Sequence, residues 1–146
     1  MKKLQKNLRN EYFKNKALLL IPLLVLIDQI AKYLVTDRII VIFKQPLIFY
    51  SKNTGAAFGI LKDNNFLLIF ISIIILGILG YFYYKEKKLR LGLIFLFSGA
   101  IGNLIDRIFR GFVVDFIKLG SYPTFNFSDV FNLIGLIIII YVITKK

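Results

Sequence analysis

The stretch "LGLIFLFSGAIGNLIDRIF", Leu91 to Phe109, decides how the rest of the chain is read. Its first two-thirds are apolar apart from Ser98, and its last third carries Asn103, Asp106 and Arg107. A block of this length is close to the roughly 20 helical residues needed to cross a hydrocarbon core. Charge in such a block is costly, so it must be either paired or used.

Three further blocks of similar character flank it: Ala17–Val35, Phe66–Tyr84 and Phe127–Thr144. Together they raise the hydrophobic content to 58% and the mean hydropathy to +0.72, well above a soluble domain. The first block follows a basic segment, as a signal peptide would. Yet Asp28, Gln29 and Lys32 sit within it and no small-x-small cleavage site follows, so it reads as a retained span. Pro22, early in this block, is tolerated near a helix start. The net charge is +12, and lysines and arginines crowd the N-terminus, "KEKKLR" (Lys85–Arg90) and the final Lys145-Lys146. No nucleic-acid-binding motif accompanies these clusters, whereas lysine-rich segments beside apolar spans set membrane orientation. With four spans all three clusters fall on one side, the cytoplasmic one. The expectation is therefore an all-α polytopic membrane protein, one domain over 1–146, with both termini cytoplasmic. Connections 36–65 and 110–126 then face outward.

The longer outer connection contains "IIVIFKQPLIFY" (Ile39–Tyr50), β-branched and aromatic, which predicts two short strands around a turn at Gln45-Pro46. In "NTGAAFGIL" (Asn53–Leu61), Gly55 and Gly59 permit close backbone approach. At about 1.5 Å per helical residue, Asp28 and Asn103 both lie roughly 17–18 Å from the cytoplasmic ends of their spans, with Lys32 and Arg107 one turn beyond. Asp115, Asn126 and Asp129 cluster at the same outer level. The polar groups form a layer.

The chain has no Cys and no His. Thiolate nucleophiles, Cys/His metal sites and Ser-His-Asp relays are excluded, leaving Asp, Glu, Lys or Tyr for acid–base work. Asp115 and Asp129 are the candidate pair. Two carboxyls sharing one proton can hydrolyse a peptide, one as base on a water and the other as acid on the carbonyl. The same residues admit a plainer reading. "NFSD" (Asn126–Asp129) matches a helix start with an Asn cap and an acid at the third position, and Asp115 could be a solvated loop residue. Asp28 and Lys32, four apart, share a face and could simply neutralise each other. Asn103 and Arg107 share a face too, with Asp106 a possible structural partner for Arg107. Gly77, Gly80, Gly99 and Gly102 suggest close helix packing. A Ser-Lys dyad finds no good candidate, since Ser51 and Lys52 point apart on a strand.

Taken in order, "DQIAK" (Asp28–Lys32), "NTGAAFGIL", "GNLIDR" (Gly102–Arg107), "VVDF" (Val113–Phe116) and "FNFSD" (Phe125–Asp129) resemble the lipoprotein signal peptidase family, signal peptidase II. The resemblance implies a bacterial membrane aspartyl endopeptidase that cleaves prolipoproteins before a diacylglyceryl-modified cysteine. It places catalysis on Asp115 and Asp129 and supporting or substrate-binding roles on Asp28, Lys32, Asn53, Gly55, Asn103, Arg107 and Asn126. Four transmembrane helices, a small extracytoplasmic β-sheet cradle and a mobile membrane-lying segment also follow from it. So do a site near the outer face of the cell membrane, lipidated precursors and membrane lipid as partners, no metal or organic cofactor, and action as a monomer. Ala31 and Ser128 depart from the family pattern of Ser or Thr and of Ala; Ser128 adds a hydroxyl beside Asp129. The rival readings are a small four-span transporter or channel subunit, using Asp28, Lys32 and Arg107 for ions or protons, and a non-catalytic adaptor.

Overall fold

The computed structural model describes residues 17–35, 39–42, 45–55 and 61–145. The basic N-terminal segment, the residues joining the first two strands and Gly59 lie outside them. Along the chain the elements are α1 (Leu20–Val35), β1 (Ile39–Ile42), β2 (Gln45–Asn53), α2 (Asn65–Lys85), α3 (Arg90–Arg110), β3 (Val113–Ile117) and α4 (Phe127–Thr144). A single 3₁₀ turn, Lys87–Leu89, joins α2 to α3.

Among the described residues three helical segments are long and apolar enough to cross a membrane: Asn65–Lys85, Lys87–Arg110 and Phe127–Thr144, with mean hydropathy 2.6, 1.5 and 2.1. The helix α1 is shorter, at 16 residues. Its apolar side chains Leu23, Leu26, Ile30 and Leu34 face outward, while Asp28, Lys32 and Val35 are buried. That arrangement inverts a soluble helix, as an apolar solvent would demand. On α2 Phe66, Phe70, Ile73, Ile74 and Ile78 are likewise exposed, and the buried residues are Leu68 and Tyr83.

The centre of the assembly is α3. Its buried residues Gly92, Gly99, Gly102 and Asp106 recur at seven, three and four positions, one face of a helix. That face lies against Ser128, Phe131 and Gly135 of α4, spaced three and four apart. A Cβ added at Gly135 would stand 2.6 Å from the Gly92 carbonyl oxygen, and one at Gly99 would stand 2.3 Å from that of Ser128. Missing side chains therefore set the approach of the two backbones. Of the four glycines expected to do this, Gly99 and Gly102 do. Gly77 opens onto no neighbour, and a Cβ at Gly80 would make an ordinary 3.8 Å contact with Phe97, so α2 is not seated by glycine.

The three strands form one antiparallel sheet in the order β1-β2-β3. The expected pair of strands is present, but Gln45 and Pro46 do not make the turn. They open β2, where Pro46 pairs with Val41 beyond the end of β3 and its missing N–H removes no bond to that strand. At the end of α3, Gly111 takes a left-handed conformation (φ +80°) that stops the helix and turns the chain into β3.

The glycine seam makes a contrast testable by thermal unfolding in detergent. Gly135→Ala forces α3 and α4 apart and should destabilise by about 1–3 kcal/mol. Gly77→Ala meets nothing and should leave the melting temperature unchanged or raise it slightly. Equal effects would remove the seam as the determinant of packing.

Candidate active site

The site begins with strand register. β2 and β3 pair Ser51 with Asp115 and Asn53 with Val113, so Asn53 and Asp115 are diagonal neighbours on one face. The Asn53 Nδ2 donates to Asp115 Oδ2 at 2.9 Å. Asn53 Oδ1 in turn receives the Gly55 N–H at 3.0 Å, which folds the end of β2 back on itself.

The opposite edge of β3 receives the chain leading into α4. The Phe125 carbonyl accepts from the N–H groups of Phe116 and Ile117, and its N–H donates to Ile117. Asn126 therefore follows directly beside Asp115, donating from Nδ2 to Asp115 Oδ1 at 2.7 Å. The same amide reaches Asn103 Oδ1 at 3.1 Å and the Val114 carbonyl at 3.3 Å.

Asn126 also caps α4. Its Oδ1 accepts the Asp129 N–H at 3.0 Å, and its own N–H donates to Asp129 Oδ2 at 3.2 Å, a reciprocal capping box. Asp129 Oδ1 takes Asn103 Nδ2 at 2.9 Å. The helix start expected at Asn126–Asp129 is present, and its capping residue also reaches Asp115. One asparagine holds both carboxyls, Asp115 by its side chain and Asp129 by its backbone.

Asp115 is 2% exposed, and its carboxyl is pushed up from an ordinary 3.8 to about 7. Burial is the larger cause and the neighbouring Asp129 charge the second, against the bonds from Asn53 and Asn126. Near neutral pH it can hold a proton beside an ionisable partner. That is the requirement for acid and base in one pair.

Behind the pair lies a second group of buried charges. The Lys32 ammonium stands 2.8 Å from Asp28 Oδ2, 2.8 Å from Asp106 Oδ2 and 3.0 Å from Asn103 Oδ1. Asp28 is more than a neutraliser of Lys32: its Oδ1 accepts the Ser128 N–H at 2.9 Å and ties α1 to the start of α4. Arg107 is not paired with Asp106. Its Nη2 donates to the Gly55 carbonyl at 2.8 Å, and its buried Nη1 has no hydrogen-bond partner among the described residues. Asp106 instead receives Lys32, Arg110, Gln29 and the Val114 N–H. Neither Gln29 nor Arg110 stands among the site residues expected from the sequence, although the four-residue step from Asp106 to Arg110 places those two on one helix face. The Ser128 hydroxyl, adjacent to Asp129 in sequence, packs against Gly102 and is buried without a hydrogen-bond partner among the described residues. Among those residues no three His, Cys, Asp or Glu side chains converge as a metal set.

A family model for signal peptidase (SPase) II matches residues 20–145. The lipoprotein signal peptidase of Halothermothrix orenii is 37% identical over 133 residues, covering 84% of this chain and 90% of its own length. That of Clostridioides difficile is 36% identical, covering 86% and 93%, and that of Staphylococcus aureus 36%, covering 94% and 93%. Two bacterial membrane enzymes solved by the in meso method superpose with TM-scores of 0.81 and 0.79, each 33% identical. Both cover 90% of this chain, with 88% and 94% of their own lengths matched.

The raised carboxyl has a signed consequence. Between the unfolded value near 4 and the folded value of about 7, the native protein binds the extra proton, so Asp115 weakens stability as pH rises through that window. Stability of the wild type relative to Asp115→Asn should fall by at most about 4 kcal/mol between pH 4 and pH 7.5. Melting curves across that range test it, and a constant difference would contradict the raised carboxyl.

Proposed function

The chain belongs to the signal peptidase II family, and from that premise we propose that it is a prolipoprotein signal peptidase with Asp115 and Asp129 as its acid–base pair. It hydrolyses the peptide bond before the diacylglyceryl-modified cysteine of a bacterial prolipoprotein. The observation that carries the pairing is Asn126, which bonds Asp115 with its side chain and Asp129 with its backbone.

In the step we propose, ionised Asp129 takes a proton from water as the water oxygen attacks the scissile carbonyl carbon. Protonated Asp115 gives its proton to the carbonyl oxygen, producing a neutral tetrahedral diol. Collapse breaks the C–N bond, passes the proton on Asp129 to the leaving cysteine amine, and returns a diol proton to Asp115. No group is consumed. The unsatisfied Arg107 Nη1 supports a role in holding a substrate backbone carbonyl, and Asn53 and Gly55 supply the strand end beside it.

The same reading makes α1 the fourth span and the whole chain one membrane-embedded domain. Lys87, Lys88 and both termini lie on the cytoplasmic side, with the acids and the sheet at the outer face of the bacterial cell membrane. The acyl chains of the substrate stay in lipid, each buried methylene contributing about 0.8 kcal/mol to its retention. One copy of the chain supplies every group named.

The test is cleavage of a lipidated precursor and its unlipidated twin by purified protein in bilayer-mimetic micelles. The lipidated form should be cut and the twin spared. Asp115→Asn and Asp129→Asn should each lower turnover by about 10²–10⁴-fold or more while the protein still inserts and folds. Wild-type turnover in either variant would remove the pair.

A further inference from the structure

Asp106 has no bond to either acid of the pair among the described residues, yet it is completely buried. Its Oδ2 receives the Lys32 ammonium at 2.8 Å and the Val114 backbone N–H at 3.0 Å. Its Oδ1 receives Arg110 Nη1 at 2.7 Å and Gln29 Nε2 at 3.2 Å. Val114 stands opposite Lys52 in the β2–β3 register, but its N–H is given to Asp106, without which it would be an unpaired buried donor. Its carbonyl is held by Asn126 at 3.3 Å, so both polar groups of the residue preceding Asp115 are clamped.

The route from Lys32 then forks. One arm runs through Asp106 and the Val114 N–H to β3 and Asp115. The other runs through Asn103 Oδ1, whose amide nitrogen reaches Asp129 Oδ1. We infer that Asp106 is a positioning residue for the acid pair: by gripping β3 at Val114 against the Lys32 ammonium, it sets where Asp115 stands relative to Asp129. This rests on the reading of Asp115 and Asp129 as the reacting acids. A carboxylate is required at 106 because one side chain must accept two cations, an amide side chain and a backbone N–H, and an ionised carboxyl is the acceptor-only group with enough lone pairs. A displacement of about 1 Å at a reacting group can lower the rate on the order of 10²-fold.

The experiment uses full-length protein in micelles, with enzyme in large excess over a lipidated precursor. The single-turnover rate constant then does not depend on what fraction of the enzyme is folded. Three forms are compared with wild type: Asp106→Asn; a semisynthetic protein in which the Val114 amide is replaced by an ester, deleting that N–H; and Asp115→Asn. The expected result is a fall of about 10- to 100-fold for the first two, with half-saturating enzyme concentration changed by less than about threefold, and no detectable cleavage by the third. Either of the first two at the wild-type rate, with Asp115→Asn inactive, overturns the role of Asp106 and leaves the acid pair standing. Active Asp115→Asn overturns the pair, and this inference with it. Should Asp106→Asn yield no folded protein, the ester alone decides.

Discussion

The buried ammonium of Lys32 is the constraint on which the rest of the structure depends. Its side chain has no exposure, and it is surrounded by Asp28, Asp106 and the Asn103 amide oxygen. Taking such a charge out of water costs several kcal/mol, which its partners offset only when the geometry is good. Each of those partners also holds another element. Asp28 accepts the Ser128 N–H in the first turn of α4, Asp106 accepts the Val114 N–H of β3, and Asn103 reaches Asp129. A charge that is weak evidence for stability is, in this setting, strong evidence for register: α1, α3, β3 and α4 meet where all three acceptors can face one nitrogen.

Around that point the molecule presents two solvents with two surfaces. Most of the large aliphatic and aromatic residues of α1 and α2 point away from the assembly, while polar residues collect inside. The glycines of α3 and α4 let the backbones approach closely, so that Gly102 admits the Asp28 carboxylate and the Ser128 side chain together. A methyl group there would stand 2.1 Å from the Ser128 hydroxyl and 2.8 Å from Asp28. Packing and electrostatics are therefore one requirement at this position. The acids themselves sit at element boundaries, Asp115 in a five-residue strand and Asp129 in the first turn of α4, where backbone and side-chain donors are both within reach.

Much of this was legible in the chain because it is local. The length of α2, α3 and α4 follows from hydropathy, the Asn126–Asp129 box from a three-residue spacing, and Asp28 beside Lys32 from a four-residue one. The long-range pairings were not legible in physical terms. Asn53 meets Asp115 across 62 positions only because β2 and β3 align with a shift between Ile48 and Ser51. Arg107 has an acid next to it in sequence, yet it reaches the Gly55 carbonyl, 52 positions away, because adjacent residues on a helix point in different directions. Gln45-Pro46 looked like a turn from composition and proved to open a strand, where the proline pairs with Val41 of β1 but lies beyond the end of β3 and so removes no bond to that strand. The glycines of α2 carried the same letters as those of α3 without the same neighbours.

The central claim is that Asp115 holds a proton up to about neutral pH because it is buried and, secondly, because the Asp129 charge stands beside it. Carbon-13 spectra of protein labelled at the aspartate carboxyl carbons, recorded from pH 3 to pH 9 in micelles, test it most directly. One resonance should titrate near 7, vanish in Asp115→Asn, and move to lower pH in Asp129→Asn once the neighbouring charge is gone. If the Asp115 resonance completes its titration by about pH 5, or is indifferent to the loss of Asp129, the two carboxyls do not act as a pair.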